Sequence, residues 1–379
     1  MNERMDVLFG AYIGIQGGKI AYIGKSAPKE QPQTIIDGTG MVAMPGLVNC
    51  HTQLATSVLR SYCDDLSTAE AVAESGIKAN LALSSYRFID QNEEFDFETD
   101  EQCAELRRVV ESWHGHDEGR IQIDAGIYAE YTSNFKLWEG LVGYAAEQNL
   151  GFQLHLAETQ AEVDSCLDRT GLSPAELLNC HGIFNVPTTA AGCACLEEMD
   201  RKLLGKKKAT AVACPLTAAK SGKPQTPVLD CVKAGMNVAL GTGGAIEAGN
   251  LDLFEVMRGT ALCARAASGN ASSLPASAAL MMATTCGARA QGRAANCGML
   301  KEGYDADICL VDFSAPHLMP CHNVVNGLVF SAKGGDVAMT MVRGKILYQN
   351  GSFPTIDLKS VVEELTTYAI PRLFAGDKE

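Results

Sequence analysis

Positive charge is scarce in this chain: 31 lysines and arginines face 45 aspartates and glutamates, a formal net charge of −14 at pH 7. That surplus repels phosphate backbones and acidic lipid surfaces. The one short basic run, Lys206-Lys207-Lys208, does not offset it, so neither nucleic acid nor membrane is expected as a partner. Long apolar runs are missing as well, and nothing approaches the ~20 residues of a membrane-spanning helix. Residues Met1 to Asp6 lack the apolar core of a signal peptide, and a cytoplasmic location is the expectation. There is no Cys-x-x-Cys pair among the 14 cysteines; Cys193-Ala194-Cys195 is the nearest approach and is too tight for a zinc knuckle. Scattered thiols in a chain of this size read as reduced rather than as a disulfide framework. Internal repeats and low-complexity linkers are also lacking.

What is present is a soluble globular composition, 46% hydrophobic and 20% charged over 379 residues, ample for a large core. Both ends are β-rich. Residues 11–24, "AYIGIQGGKIAYIG", alternate on either side of Gly17-Gly18 as a hairpin does, and "DADICLVDF" (305–313) and "VAMTMVRGKILYQNGSF" (337–353) repeat the style. Residues 1–45 and 295–355 together are therefore expected to build one small β domain, followed by a C-terminal helix over 356–379. The middle, 46–294, alternates short apolar runs such as "IQIDAGIY" (121–128), "GFQLHLAE" (151–158), "ATAVACP" (209–215) and "MNVALGTGG" (236–244) with helical stretches. That alternation is the signature of parallel β/α architecture. Its length is close to the ~250 residues of a (β/α)8 TIM-like barrel, whose active sites lie at the carboxyl ends of the strands. The polar clusters fall at such ends: His51 after "GLVN", Tyr128 after "DAGI", His155-x-x-Glu158 after "FQL", and Gly243 after "VALGT".

Taken in order, "MPGLVNCHTQ", "GRIQIDAGIYAEYTS", "FQLHLAET", "PTTAAGCACL", "NVALGTGGAIEAGNLDLFEVMR", "ATTCGARAQG" and "GMLKEGYDADICLVDF" resemble the amidohydrolase superfamily. The branch they resemble most is that of the methylthioadenosine/S-adenosylhomocysteine deaminases and their chlorohydrolase relatives. The likeness runs from about residue 11 to 350. It implies a barrel with a composite β-sandwich, and a divalent metal whose bound water is activated to hydrolyse a C–N or C–halogen bond on a heterocycle.

Carried over position by position, the resemblance is incomplete. Such proteins end the first strand in His-x-His; here His51 is kept and Gln53 stands in the second place. His155 and Glu158 keep the fifth strand's His-x-x-Glu. The histidine of Ala-Ala-His-Cys is Gly192, the aspartate of Gly-Thr-Asp-Gly is Gly243, and the histidine of Pro-His-Ala is Tyr128. Three family positions, Gln53, Gly192 and Gly243, are thus vacated. Two of four implied metal ligands survive, whereas catalytic zinc sites use three protein ligands plus water. Between Asp64-Asp65-Leu66 and "AVAESGIKANLAL" the chain is also shorter than the resemblance implies, as though the barrel were one β/α unit short, and it starts late relative to the family.

The expectation is an amidohydrolase or deaminase scaffold whose metal centre is largely dismantled: a pseudoenzyme or small-molecule-binding protein with no zinc, or zinc weakly held by His51 and His155. Tyr128, Gln53 and Glu158 are the expected ligand-binding residues for a small heterocycle. The alternatives are an active hydrolase on a purine-like heterocycle, with Glu158 as general acid and base at a reduced or rebuilt site, and a partner subunit of an intact paralogue. A homodimer is the default assembly. The bland readings stand beside these. His51 and His155 could be polar remnants at strand ends, Glu158 could face solvent, and Cys50, Cys193, Cys195 and Cys214 could be small core residues rather than rebuilt ligands or a nucleophile. His114 and His116, spaced as His-x-His, read as an exposed loop. His181, His317 and His322 have no motif context.

Overall fold

The structure, a computed structural model, describes residues 5–53, 68–85, 87–90 and 92–373. Three sheets organise it. The hairpin β1 (Tyr12–Gln16) and β2 (Lys19–Gly24) forms one. A four-stranded antiparallel sheet runs in the order β12-β11-β10-β3, where β3 is Met41–Pro45, β10 is Ile308–Asp312, β11 is Val337–Val342 and β12 is Lys345–Gln349. Chain segments from both ends therefore meet in one sheet, Met44 pairing with Cys309 and Ala43 with Leu310. The hairpin packs on it through a shared apolar core of Ile20, Leu300, Ile308, Met339 and Met341, with Ile13 and Ile23 at its margin.

The third sheet is parallel and follows chain order: β4 (Ala79–Ser85), β5 (Ile121–Ile127), β6 (Phe152–Leu156), β7 (Thr188–Gly192), β8 (Thr210–Ala213) and β9 (Asn237–Leu240). Helices cover its outer face, as expected where every strand must cross over to reach a parallel neighbour. The alternation in β6 shows how the two faces are used. Phe152, Leu154 and Leu156 are buried toward the helices, while Gln153 and His155 turn to the inner side. "GLVN" is not a regular strand, yet the backbone around it joins the sheet: Cys50 N–H donates to Leu240 O (2.8 Å) and Gly243 N–H to His51 O (3.0 Å). Among the described residues this gives six strands and one strand-like segment, against the eight staves of a closed barrel. The shortening expected after Leu66 falls on residues 54–67, outside the described residues.

The lower end of the sheet is pinned by Arg293. Its guanidinium donates to the carbonyls of Gly119, Ala79 and Arg120 and to Asn80 Oδ1, at 2.6–3.1 Å. His114 departs from the exposed-loop expectation: it is half-buried at the end of the helix Glu101–Trp113, and its Nδ1 lies 3.2 Å from both the backbone N and O of Ile123. His116 is exposed. The C-terminal helix runs as Leu358–Glu364, a π turn at Leu365–Ala369, then Ile370–Leu373. No helix among the described residues is long and apolar enough to cross a membrane.

Candidate functional site

Parallel strands deliver their last side chains to one rim, and that is where His51 and His155 meet. Their Nε2 atoms are 3.2 Å apart, with the rings edge to face and centroids at 4.8 Å. His155 Nδ1 lies 3.1 Å from the Tyr128 carbonyl oxygen, which only accepts, so the proton sits on Nδ1. The other nitrogen, Nε2, faces His51 Nε2 at hydrogen-bond distance. Tyr128 also tilts its ring over His155, with centroids 4.5 Å apart at 39°.

A separation of 3.2 Å also suits two ligands of one zinc ion: at ~2.0–2.1 Å per Zn–N bond and a near-tetrahedral angle they stand about 3.3 Å apart. A catalytic zinc site needs further donors beside them. Among the described residues, no group of three or more His, Cys, Asp and Glu ligand atoms within 4.8 Å of one another includes His51 or His155. The two imidazoles found together among the described residues are one protein ligand fewer than such sites use.

At Gly192 and Gly243, which the sequence reading matched to the family's histidine and aspartate, an added side chain would meet neighbouring side chains. Both are left-handed, with φ of +89° and +67°. A Cβ on Gly192 would stand 2.6 Å from Glu158 Cγ, and one on Gly243 would overlap the Thr217 hydroxyl. The Thr217 hydroxyl donates to Thr242 O at 3.0 Å, and Thr52 Oγ1 donates to Gly243 O at 3.1 Å. Asn49 bridges the same turn, giving Nδ2–H to Thr242 Oγ1 (2.7 Å) and accepting Thr242 N–H (3.1 Å). The turn is thus fixed by its own hydrogen bonds.

Glu158 lies against the Lys223 ammonium at 3.5 Å, with a fifth of its side chain exposed. Its backbone is held from behind by Glu162, whose carboxylate accepts the N–H groups of Ala157 and Glu158, both at 2.8 Å. The thiols are not poised for chemistry. Burial raises all four near the rim, Cys50 and Cys193 most strongly; burial and the neighbouring Glu158 push Cys214 up to about 12. A nucleophilic or metal-binding cysteine needs the opposite shift. None of the described cysteines is disulfide-bonded.

Burial and the facing His155 push the His51 imidazole down to about 3. Since the unfolded chain takes up that proton near pH 6.5 and the folded one does not, stability holds above pH 7 and falls as pH drops from 6.5 toward 3. Between pH 8 and pH 5 the loss from this group is expected to be about 2 kcal/mol. Urea midpoints of the native chain and His51→Gln across that range check this; parallel pH slopes in the two proteins would contradict it.

Of the residues the sequence reading grouped, the structure brings His51, His155 and Tyr128 into contact, while Glu158 lies against Lys223 and beside Gly192; Gln53 follows His51 by two residues. It missed Thr217, Lys223 and Glu162. Thr217 and Lys223 stand in "CPLTAAKSGK", which follows the carboxyl end of β8, a place where barrel proteins put functional loops. Nothing local would have marked Glu162.

The class this arrangement defines is a β/α-barrel fold with paired histidines at its strand ends. The Amidohydrolase family model matches residues 82–347, and the chain belongs to that family. It is 32% identical to a 5-methylthioadenosine/S-adenosylhomocysteine deaminase of Thermoanaerobacter pseudethanolicus, over 96% of this chain and 94% of the relative. It is 34% identical to a 5'-deoxyadenosine deaminase of Methanosarcina acetivorans, over 94% and 92%. In fold it is similar to a zinc-bound adenosine deaminase from Xanthomonas campestris, with a TM-score of 0.87 and 23% identity over 98% of this chain and 95% of the other. A zinc-containing mutant of atrazine chlorohydrolase from Arthrobacter aurescens aligns with a TM-score of 0.85 and 21% identity, over 97% of each.

Proposed function

We propose that this chain is a ligand-binding member of the deaminase branch in which the hydrolytic metal centre is dismantled, with a retained pocket for a small nitrogen heterocycle. What most supports this reading is the filling of both vacated positions, with Glu158 against Gly192 and Thr217 against Gly243. Larger side chains at either position would have to displace them. Without a metal hydroxide, Glu158 has no activated water to shuttle protons for. In this reading Glu158, Tyr128 and Gln53 contact the ligand, and His51 and His155 form a remnant pair holding zinc weakly or not at all. The protein is cytoplasmic and assembles as a homodimer or with an intact paralogue; sedimentation as a lone monomer at all concentrations would contradict the assembly.

The test is elemental analysis of protein never exposed to chelator, with ammonia release measured on adenosine, 5'-deoxyadenosine, methylthioadenosine, guanine and a triazine. The expected result is far less than one zinc per chain and no release above background, with binding of at least one nucleoside by calorimetry. One tightly held zinc per chain, with turnover, would overturn it. The second reading, a working hydrolase with a reduced site, is favoured by the His51–His155 separation, which suits a shared ion. It predicts zinc-dependent turnover that Glu158→Gln abolishes.

A further inference from the structure

The helix Gln160–Thr170 begins with the spacing Thr159-x-x-Glu162, which by itself predicts a capping box. In such a box the glutamate three residues in returns to the N–H of the cap residue. The next helix, Pro174–Cys180, builds it: Glu176 N–H donates to the Ser173 hydroxyl and Ser173 N–H to the Glu176 carboxylate, both at 3.1 Å. At Thr159 the first half is there, Glu162 N–H donating to Thr159 Oγ1 at 3.3 Å. The Glu162 carboxylate, however, reaches past the cap residue. One oxygen accepts Ala157 N–H and the other Glu158 N–H, each at 2.8 Å.

Those N–H groups belong to the turn that ends β6, where Ala157 is left-handed at φ +48° although it is not glycine. Such a backbone persists only where its surroundings over-determine it. The segment after β7 grips the carbonyls: Leu156 O accepts Cys193 N–H at 2.7 Å and Ala157 O accepts Cys195 N–H at 2.8 Å. Glu162 grips the N–H groups. The next side chain to leave the turn is Glu158, laid beside Gly192 and against Lys223.

We propose that Glu162 is a positioning residue of the site: by holding both N–H groups of this turn it sets where Glu158 projects, a task beyond capping its own helix. The inference deepens the ligand-binding reading above and rests on it, since Glu158 is there a ligand contact.

The test is a cycle of Glu162→Gln and Glu158→Gln, read by titration calorimetry with methylthioadenosine. Glutamine keeps the length of the side chain but puts a donor where one N–H needs an acceptor. Glu162→Gln is expected to weaken binding at least fivefold in the native chain and less than twofold where Glu158→Gln is already present. Glu176→Gln, which breaks the plain box, should leave the affinity unchanged. Equal losses in both backgrounds would give Glu162 a general structural role and overturn the inference, as would an unchanged affinity in Glu162→Gln. Amide exchange of the ligand-free proteins reads the turn directly. Ala157 and Glu158 N–H are expected to exchange at least tenfold faster in Glu162→Gln, with the Gly171 and Leu177 amides unaltered. Faster exchange along the whole helix would reduce Glu162 to a cap and also overturn the inference. Failure of methylthioadenosine to bind the native chain would remove the pocket reading alone, and amide exchange would then decide for or against the hold on the turn.

Discussion

Lys78→Met is expected to lower the unfolding free energy by about 3–5 kcal/mol. Lys78 precedes β4 at the lower end of the barrel, and its ammonium is gripped by the β domain: Asp305 Oδ2 at 2.6 Å and Asp307 Oδ2 at 2.5 Å, with Cys297 Sγ at 3.2 Å. Asp305 is only 4% exposed, and its second oxygen takes Lys19 of the hairpin at 2.9 Å. Burial by itself would lower the Lys78 pKa, yet Asp307 and Asp305 overcome it and hold it above its ordinary value. Cys297, Asp305 and Asp307 have the donor spacing of a metal site, and here the ammonium takes the cation's place among them. Removing it leaves two carboxylates facing each other with poor access to water, which is worse than having neither. Urea unfolding at neutral pH measures the loss. The triple replacement Lys78→Met with Asp305→Asn and Asp307→Asn should recover part of it. A single-variant loss below about 1 kcal/mol would mean that the cluster is solvated and that other contacts join the domains.

Gly243→Asp, the substitution that would restore the family's aspartate, is expected to destabilise the fold by about 2–4 kcal/mol instead of creating a zinc site. The left-handed backbone at φ +67° is tolerable for aspartate, so most of the effect comes from the Cβ, which would overlap the Thr217 hydroxyl. Thr217→Gly in the same chain should therefore return a large part of the loss. Gly192→His is expected to be as damaging, since its φ of +89° suits a histidine poorly and its Cβ would press on Glu158 Cγ at 2.6 Å. Thermal unfolding with and without zinc reads both effects. A Gly243→Asp chain as stable as the native one, gaining a stoichiometric zinc, would show that the closure of the site is superficial and that ligand loss alone keeps the metal out.

Much of the architecture was legible in the chain. The apolar runs at 121–128, 151–158, 209–215 and 236–244 became β5, β6, β8 and β9 because parallel strands buried under helices must be nearly continuous in apolar or small residues. The hairpins at Gly17-Gly18 and Arg343-Gly344 appear where left-handed turn positions were available. His114 misled because an isolated His-Gly-His reads as loop, while its actual partner, the Ile123 backbone, comes from the next strand. Lys78 gave no sign at all, since its three partners lie more than 200 residues along the chain.

By itself, then, the sequence determined which residue types stand at the strand ends that form the rim, because strand periodicity fixes the face and residue identity fixes the chemistry. Only the tertiary structure decided what surrounds Gly192, Gly243 and His155. Thr217, Glu158 and the Tyr128 carbonyl act there through distances between separate strands and helices, and such distances are set by packing, which no local pattern encodes.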